Sequence, residues 1–394
     1  MNMGWSGGHV AYLSDRMQVP DSSGYNEALR RVQDLARNVR GHETVKTDHI
    51  DYSLPIGTDE RVGHMDGKPC RRLVIFLRST GCEWVRESGG CTMCGFYCST
   101  NQGVKVSDED YINQIEHVAD TVDLNDYPVV ALYNDGNFLD EREISCEAQK
   151  KISSVLNSFP GIRRVVIESR INDDSIEMAQ RIKKHLPDKE LEILFGFESA
   201  NPEVMNLCIN KGFTARNYDH YLAKMNGSGV SFKPLLLLKP PFLTEQEAIS
   251  DVVSTVGYLY ARGIRRVDLE VTTVERNTVV HELWKKGLYS PPMLWSVLEV
   301  IRQYKGMYGE GMDMYISPSQ YSVQSLDVAR NCGTCDREIL ERIDMHNLDF
   351  NTEVFDGLDC DCKHTGWADR MGEQNPRGIP ERVMGQLNLL DTPD

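Results

Sequence analysis

No apolar run in this sequence is long enough to cross a bilayer: a spanning helix needs about 20 consecutive apolar residues, and the longest apolar stretch is centred on residues 234–238. The first fourteen residues hold no basic segment followed by an apolar core, so no secretory signal is expected, and a soluble cytoplasmic protein is. Positive charge is scarce. Against 59 Asp and Glu stand 43 Lys and Arg, a net charge of −16. So acidic a chain does not hold a polyanion through its overall field, because neutralising phosphates takes Lys and Arg. A nucleic-acid substrate would be met by a local basic patch or by a partner subunit. Low-complexity tracts and repeats beyond a βα period are absent, and 394 residues suit one large α/β domain with additions.

What is present is cysteine, eleven in all, and eight of them fall in two groups: Cys82, Cys91, Cys94 and Cys98, then Cys332, Cys335, Cys360 and Cys362. An odd number in a chain without an export signal speaks against a disulfide framework, and clustered thiols then point to metal. Cys70, Cys146 and Cys208 are scattered and read as buried structural thiols.

The first 70 residues show little strand pattern, and one amphipathic helix is expected over 22–39. From Arg71 onward, short β-branched runs alternate with amphipathic segments. Strands are expected at 73–77, 129–133, 164–167, 191–197, 230–238 and 266–271. Helices are expected at 108–122, 143–157, 175–185, 218–226, 245–260 and 292–304. This alternation implies an α/β fold of parallel strands, a partial (β/α)6 TIM-like barrel over 71–305. It carries an N-terminal helical extension (1–70) and a small cysteine-containing C-terminal appendage (306–394).

Strand ends carry the polar residues. The first strand runs into the cysteine loop, the second into Asn134-Asp135-Gly136-Asn137, and the third into Glu168-Ser169-Arg170. Glu198, Lys239 and Glu270 (with Thr272 and Thr273 beyond) end the other three. Barrel enzymes build their catalytic face from such ends. The plainer reading is that chains turn polar where strands stop, but Glu directly after a strand is a poor turn former. Lys239 and the Gly-flanked Lys211 are candidates to touch substrate or cofactor, or else serve as strand-end caps.

The segment from Gly81-Cys82 through Gly89-Gly90-Cys91 to Cys94-Gly95 places three thiols in a glycine-rich loop directly after a strand. Three thiolates suit a [4Fe–4S] cluster with one iron left open to chelate S-adenosylmethionine. Spacing alone also allows a closed zinc site that includes Cys98, although the position after a barrel strand favours the cluster. Met93, Phe96 and Tyr97 would shield it or touch adenine. The second group, Cys332, Cys335, Cys360 and Cys362, reads as a zinc site stapling the appendage, with an auxiliary cluster as the rival. His346 or His364 could replace one thiolate.

Over residues 73 to about 305 the sequence resembles the radical S-adenosylmethionine (SAM) superfamily, in the elongator-like branch that has a long gap before the final Cys-x-x-Cys. Over most of the chain it is similar to the archaeal radical SAM enzymes of archaeosine formation. The motifs carrying this likeness are Gly81-Cys82-x-Trp84, Gly136-Asn137-Phe138-Leu139-Asp140, Asn210-Lys211-Gly212-Phe213-Thr214 and Leu238-Lys239-Pro240-Pro241-Phe242. Pro291-Pro292-x-Leu294-Trp295-Ser296 and the tail cysteines complete it. The resemblance implies a cluster on Cys82, Cys91 and Cys94. It implies methionine contacts from Asn134, Asp135, Gly136 and Asn137, and ribose or methionine contacts from Glu168, Arg170 and Glu198. It further implies an external electron donor, a tRNA substrate, and archaeosine synthase as partner. That synthase attaches lysine to the nitrile of 7-cyano-7-deazaguanine, and the radical enzyme cleaves the lysine-derived C–N bond. Other radical modifications of tRNA and a non-catalytic zinc-stapled scaffold are the alternatives. Arg163-Arg164, Lys183-Lys184, Arg262, Arg265-Arg266 and Lys285-Lys286 are candidate tRNA contacts or ordinary solvated helix faces.

Overall fold

Residues such as Leu73-Val74-Ile75 and Val129-Val130-Ala131-Leu132 are buried on both faces, as parallel strands covered on both sides require. In the computed structural model, which describes residues 23–41, 50–170, 173–212, 215–225, 227–317 and 325–391, they lie in one eight-stranded sheet. The strands are β1 (Gly57–Met65), β2 (Lys68–Phe76), β3 (Val129–Tyr133), β4 (Arg164–Ser169), β5 (Glu190–Glu198), β6 (Val230–Leu238), β7 (Arg266–Val271) and β8 (Asp313–Ser317). They are ordered as in the chain, β2 to β8 parallel, and the sheet curls into a half-barrel. The expectations at Ser22, Phe213, Thr214 and Asn226 lie outside the described residues, as do most of 1–49, residues 318–324 and the last three.

The half-barrel fold is the one expected, and its six central strands, β2 to β7, stand where the sequence places them. Two strands were not expected, and the sheet runs past both 71 and 305. One is β1, which pairs antiparallel with β2 through a two-residue turn at Asp66 (φ 53°) and Gly67 (φ 72°). Positive φ at both turn residues matches the right-handed twist of the flanking strands. Charged Asp59, Glu60 and Arg61 hide β1 from a hydropathy reading, but an edge strand tolerates them. The other is β8, whose five residues alternate in burial.

Helices cover the outside of the sheet and bury the main core against it. Inside the curl, Met65, Val74, Val129, Ala131, Val166 and Leu194 form a small apolar plug. Toward the N-terminal strand ends, buried charges are paired: Lys233 with Asp268 at 2.8 Å, and Arg266 and Arg164 with Glu192 at 3.1 and 3.6 Å. The cysteine loop and the other polar strand-end residues lie at the opposite, C-terminal strand ends. Helix Ile379–Leu390 returns to pack on helix Ser23–Arg40, where Arg31 and Asp391 pair at 2.5 Å. No helix among the described residues is long and apolar enough to cross a membrane.

Candidate active site

The cysteine loop leaves β2 at its C-terminal end. Thr80 N donates to the Tyr111 hydroxyl (2.9 Å), and Cys82 precedes the short helix Glu83–Ser88. That helix ends at Gly89, in the left-handed region (φ 87°), where a Cβ would stand 2.7 Å from the Arg37 backbone nitrogen. Only glycine allows the loop this close to helix Ser23–Arg40. The Asn210 amide donates to Ser88 O (3.2 Å) and Gly90 O (2.8 Å), and Thr92 N donates to Ile209 O (2.9 Å).

Cys82, Cys91 and Cys94 are brought together. Burial pushes the Cys82 thiol up to about 12, with the Glu143 carboxyl adding to it and Arg170 opposing, and Cys91 also acts on it. Burial raises Cys94 as well, against the pull of Arg40, with Cys91 and Cys82 contributing. Three part-buried, mutually interacting thiols with separate anchors fit a cluster that binds each cysteine on a different iron. They are less compact than a single-ion site, since they do not join the one group of candidate ligands within 4.8 Å of each other among the described residues. Cys98 sits on the adjacent turn Phe96–Ser99 and accepts a long hydrogen bond from the Asn277 amide (3.7 Å).

Asn134, Asp135, Gly136 and Asn137 follow β3. Asn134 N donates to a Glu168 oxygen (3.0 Å), while both polar atoms of the buried Asn134 side chain lack a partner. Glu143 joins this loop to the cysteine loop: its two oxygens accept from Glu83 N (2.9 Å) and Asn137 N (2.5 Å). A Cβ on Gly136 would fall 2.1 Å from one of those oxygens. Sequence reasoning missed Glu143, whose link to Glu83 spans sixty residues.

Charged residues gather at the C-terminal strand ends. Burial pushes Glu168 up to about 8, helped by Asp135. Burial also pushes Asp135 and Glu270 up to about 7. None of these three carboxyls is ion-paired among the described residues. Glu198, re-aimed by a register shift in β5 and held at φ 61°, pairs with Lys211 at 2.8 Å. Burial pulls Lys211 down, but Glu198 outweighs it and holds the amine above its ordinary value. Arg170 donates to Lys211 O (2.8 Å) and stacks 4.3 Å over Trp84. Lys239 (φ 58°) pairs with the buried Glu245 at 2.7 Å, and burial lowers its pKa.

The tail thiols form a different kind of site. Sγ–Sγ distances are 3.9 Å for Cys332–Cys335 and 3.7 Å for both Cys332–Cys360 and Cys335–Cys362, and all four lie within 4.8 Å of one another. Backbone N–H groups of Thr334 and Cys335 pull Cys332 down to about 6. Trp295 Nε1 donates to Cys362 Sγ (3.2 Å). Neither histidine joins the thiols: both His346 nitrogens meet backbone carbonyls at 3.0 Å, and His364 pairs with Asp359 at 2.7 Å.

Most of the candidate basic pairs are engaged. Arg163 pairs with Asp66, Arg164 with Glu190, Arg262 with Asp219, Arg266 with Glu192 and Lys285 with Glu282. Arg265 stacks on Tyr260, and Lys183 donates to two carbonyls. Of the scattered cysteines, Cys208 is fully buried, whereas Cys70 and Cys146 are half-buried.

No family model matches the sequence. A protein of Methanosarcina acetivorans named archaeosine synthase subunit beta is 31% identical over 301 residues, 76% of this chain and 85% of that protein. Its namesake in Thermococcus kodakarensis is 31% identical over 237 residues, 60% of this chain and 72% of that one. Among solved structures, an N-terminally deleted archaeal Elp3 of Methanocaldococcus infernus matches with a TM-score of 0.42 and 15% identity. That match covers 61% of this chain and 59% of the other, less than two thirds of its length.

Proposed function

The chain belongs to the archaeosine synthase subunit beta family, and from that membership we propose that it is the radical SAM component of a tRNA-modifying pair. The observation that carries the reading is the grouping of three part-buried thiols, Cys82, Cys91 and Cys94, at the C-terminal strand ends, near Asp135, Glu168 and Glu270, which have no ion pair among the described residues. These cysteines would hold a [4Fe–4S] cluster. Reduced by an external donor, that cluster would supply a 5′-deoxyadenosyl radical from SAM for hydrogen abstraction and C–N cleavage in the lysine adduct of 7-cyano-7-deazaguanine, leaving archaeosine.

The protein's own residues bind and orient. Asn134, with one unpartnered donor group and one unpartnered acceptor, lies in the loop Asn134 to Asn137 that meets the methionine end of SAM. Asp135, Glu168 and Glu270 receive cationic groups: the sulfonium and ammonium of SAM, and the amidinium and ammonium of the lysine adduct. Arg170, with the Glu198–Lys211 pair, orders the wall beside Cys82 and Cys91. Lys239, fixed by Glu245, offers a cation to a substrate carboxylate. The partner subunit brings most of the tRNA-binding surface, since this chain is acidic and most of its basic pairs are occupied. Cys332, Cys335, Cys360 and Cys362 hold zinc. Eleven reduced thiols suit the cytoplasm, where we place the protein.

Anaerobic purification followed by incubation with SAM, a reductant, the partner synthase, free lysine and tRNA bearing 7-cyano-7-deazaguanine tests this. Iron and sulfide near four per chain, 5′-deoxyadenosine and archaeosine are expected, and all three disappear in Cys91→Ala. An iron-free protein, or a lysine adduct that persists, overturns the reading.

A further inference from the structure

The helix Ser23–Arg40 buries Tyr25, Ala28, Val32, Ala36 and Val39. Its last residue turns inward. Arg40 Nε donates to Gly89 O (2.5 Å), and Nη2 donates to Cys91 O (2.8 Å) and Cys94 O (2.7 Å). Nη1 is buried with no partner. One guanidinium thus ties together three carbonyls of the loop, two of them belonging to the residues whose thiols face the site.

We propose that Arg40 is a positioning residue for the cluster: it fixes the Gly89–Cys94 turn in its ligating shape and holds a permanent positive charge against the Cys94 side, with Nη1–H directed at the anionic group bound there. This rests on the function proposed above and adds the residue that tunes it. Three thiolates on a [4Fe–4S]2+ core leave one net negative charge, and reduction leaves two. A buried anion needs a partner, and a fixed cation stabilises the more negative state. Arg serves better than Lys because its planar fork spans several carbonyls and it stays protonated. Charge is distributed in the same way across the site: Arg170 acts on Cys82, Lys211 on Cys91 and Arg40 on Cys94. Arg40 alone of the three comes from outside the barrel, so the N-terminal helix completes the site.

The full-length chain with Arg40→Met and Arg40→Lys, purified anaerobically, tests this with three readouts: iron per chain, midpoint potential by EPR-monitored titration, and amide exchange of residues 89–95 in metal-free protein. Arg40→Met is expected to exchange this turn about tenfold faster or more, to lose iron to a chelator faster, and to show a more negative potential. Arg40→Lys should restore the potential while the turn stays fast. Unchanged exchange together with an unchanged potential overturns the proposal, as does an Arg40→Lys potential no better than that of Arg40→Met. If Arg40→Met retains no iron, Arg40→Lys against wild type decides, since faster exchange with a wild-type potential supports the role and wild-type exchange overturns it. If wild type itself binds no cluster, the function above fails, and exchange in the metal-free chain still judges the clamp.

Discussion

The tail thiols make a claim that can be checked on geometry before any activity is measured. A tetrahedral zinc with Zn–S near 2.3 Å has ligand sulfurs about 3.8 Å apart, because the edge of a tetrahedron is about 1.63 times its centre-to-vertex distance. The Cys332, Cys335, Cys360 and Cys362 sulfurs are already spaced 3.7–3.9 Å where they touch. A [4Fe–4S] cluster does not fit this spacing, because its four cysteines sit on four different irons and stand further apart. Wild type should therefore hold one zinc per chain in addition to any iron, and Co2+ in its place should give the visible bands of a tetrahedral thiolate. Cys335→Ser removes the buried ligand. With free zinc at a thousand times the dissociation constant, the metal contributes about 4 kcal/mol to the folded tail, so the variant should melt earlier and be cut faster between 325 and 391 while its cysteine-loop iron is unchanged. Zinc retained in full by Cys335→Ser, or a cobalt spectrum without tetrahedral bands, would refute the reasoning.

Gly136→Ala drives a Cβ to 2.1 Å from Glu143 and must break its bonds to Asn137 N and Glu83 N, which join the two loops. Two hydrogen bonds to a carboxyl amount to about 3 kcal/mol, to be read as lower thermal stability together with weaker SAM binding. Glu168, raised from an ordinary 4.5 to about 8, keeps its proton in the folded chain where the unfolded chain has lost it. Stability of the ligand-free protein should therefore fall as pH rises through that window and level off above it. A bound cation reverses the preference, so calorimetry near pH 7 in two buffers should detect proton release on SAM binding, and buffer-independent heats would count against a cation site. Lys239→Met leaves the buried Glu245 with only the more distant Arg370 (3.8 Å) as counter-charge and should cost about 3 kcal/mol, much of it recovered in the Lys239→Met, Glu245→Gln double variant.

Features carried by short spacing were legible in the sequence. β3, β6 and β7 occur with the bounds that their β-branched runs predict, and both cysteine groups assemble. β1 escaped because its charged residues obey the needs of an edge rather than a hydrophobic alternation. Glu143 and Arg40 escaped for another reason. One opens what reads as an ordinary helix and the other closes one, and each acquires its role only when folding brings it to a loop some fifty or sixty residues away. The histidines misled in the opposite direction: His346, near the tail cysteines in sequence, is spent on two carbonyls.

The docking of Ile379–Leu390 on Ser23–Arg40 bears on the order of synthesis. Ile379–Leu390 forms one wall of the seat of Ser23–Arg40, and that helix in turn braces the cysteine loop. A ribosome-bound chain can complete β1 to β8 while this wall is still missing. The loop therefore gains this brace only after every strand has been made, since Ile379–Leu390 follows β8 in the chain, and until then the helix that holds the cysteine loop lacks one side of its seat.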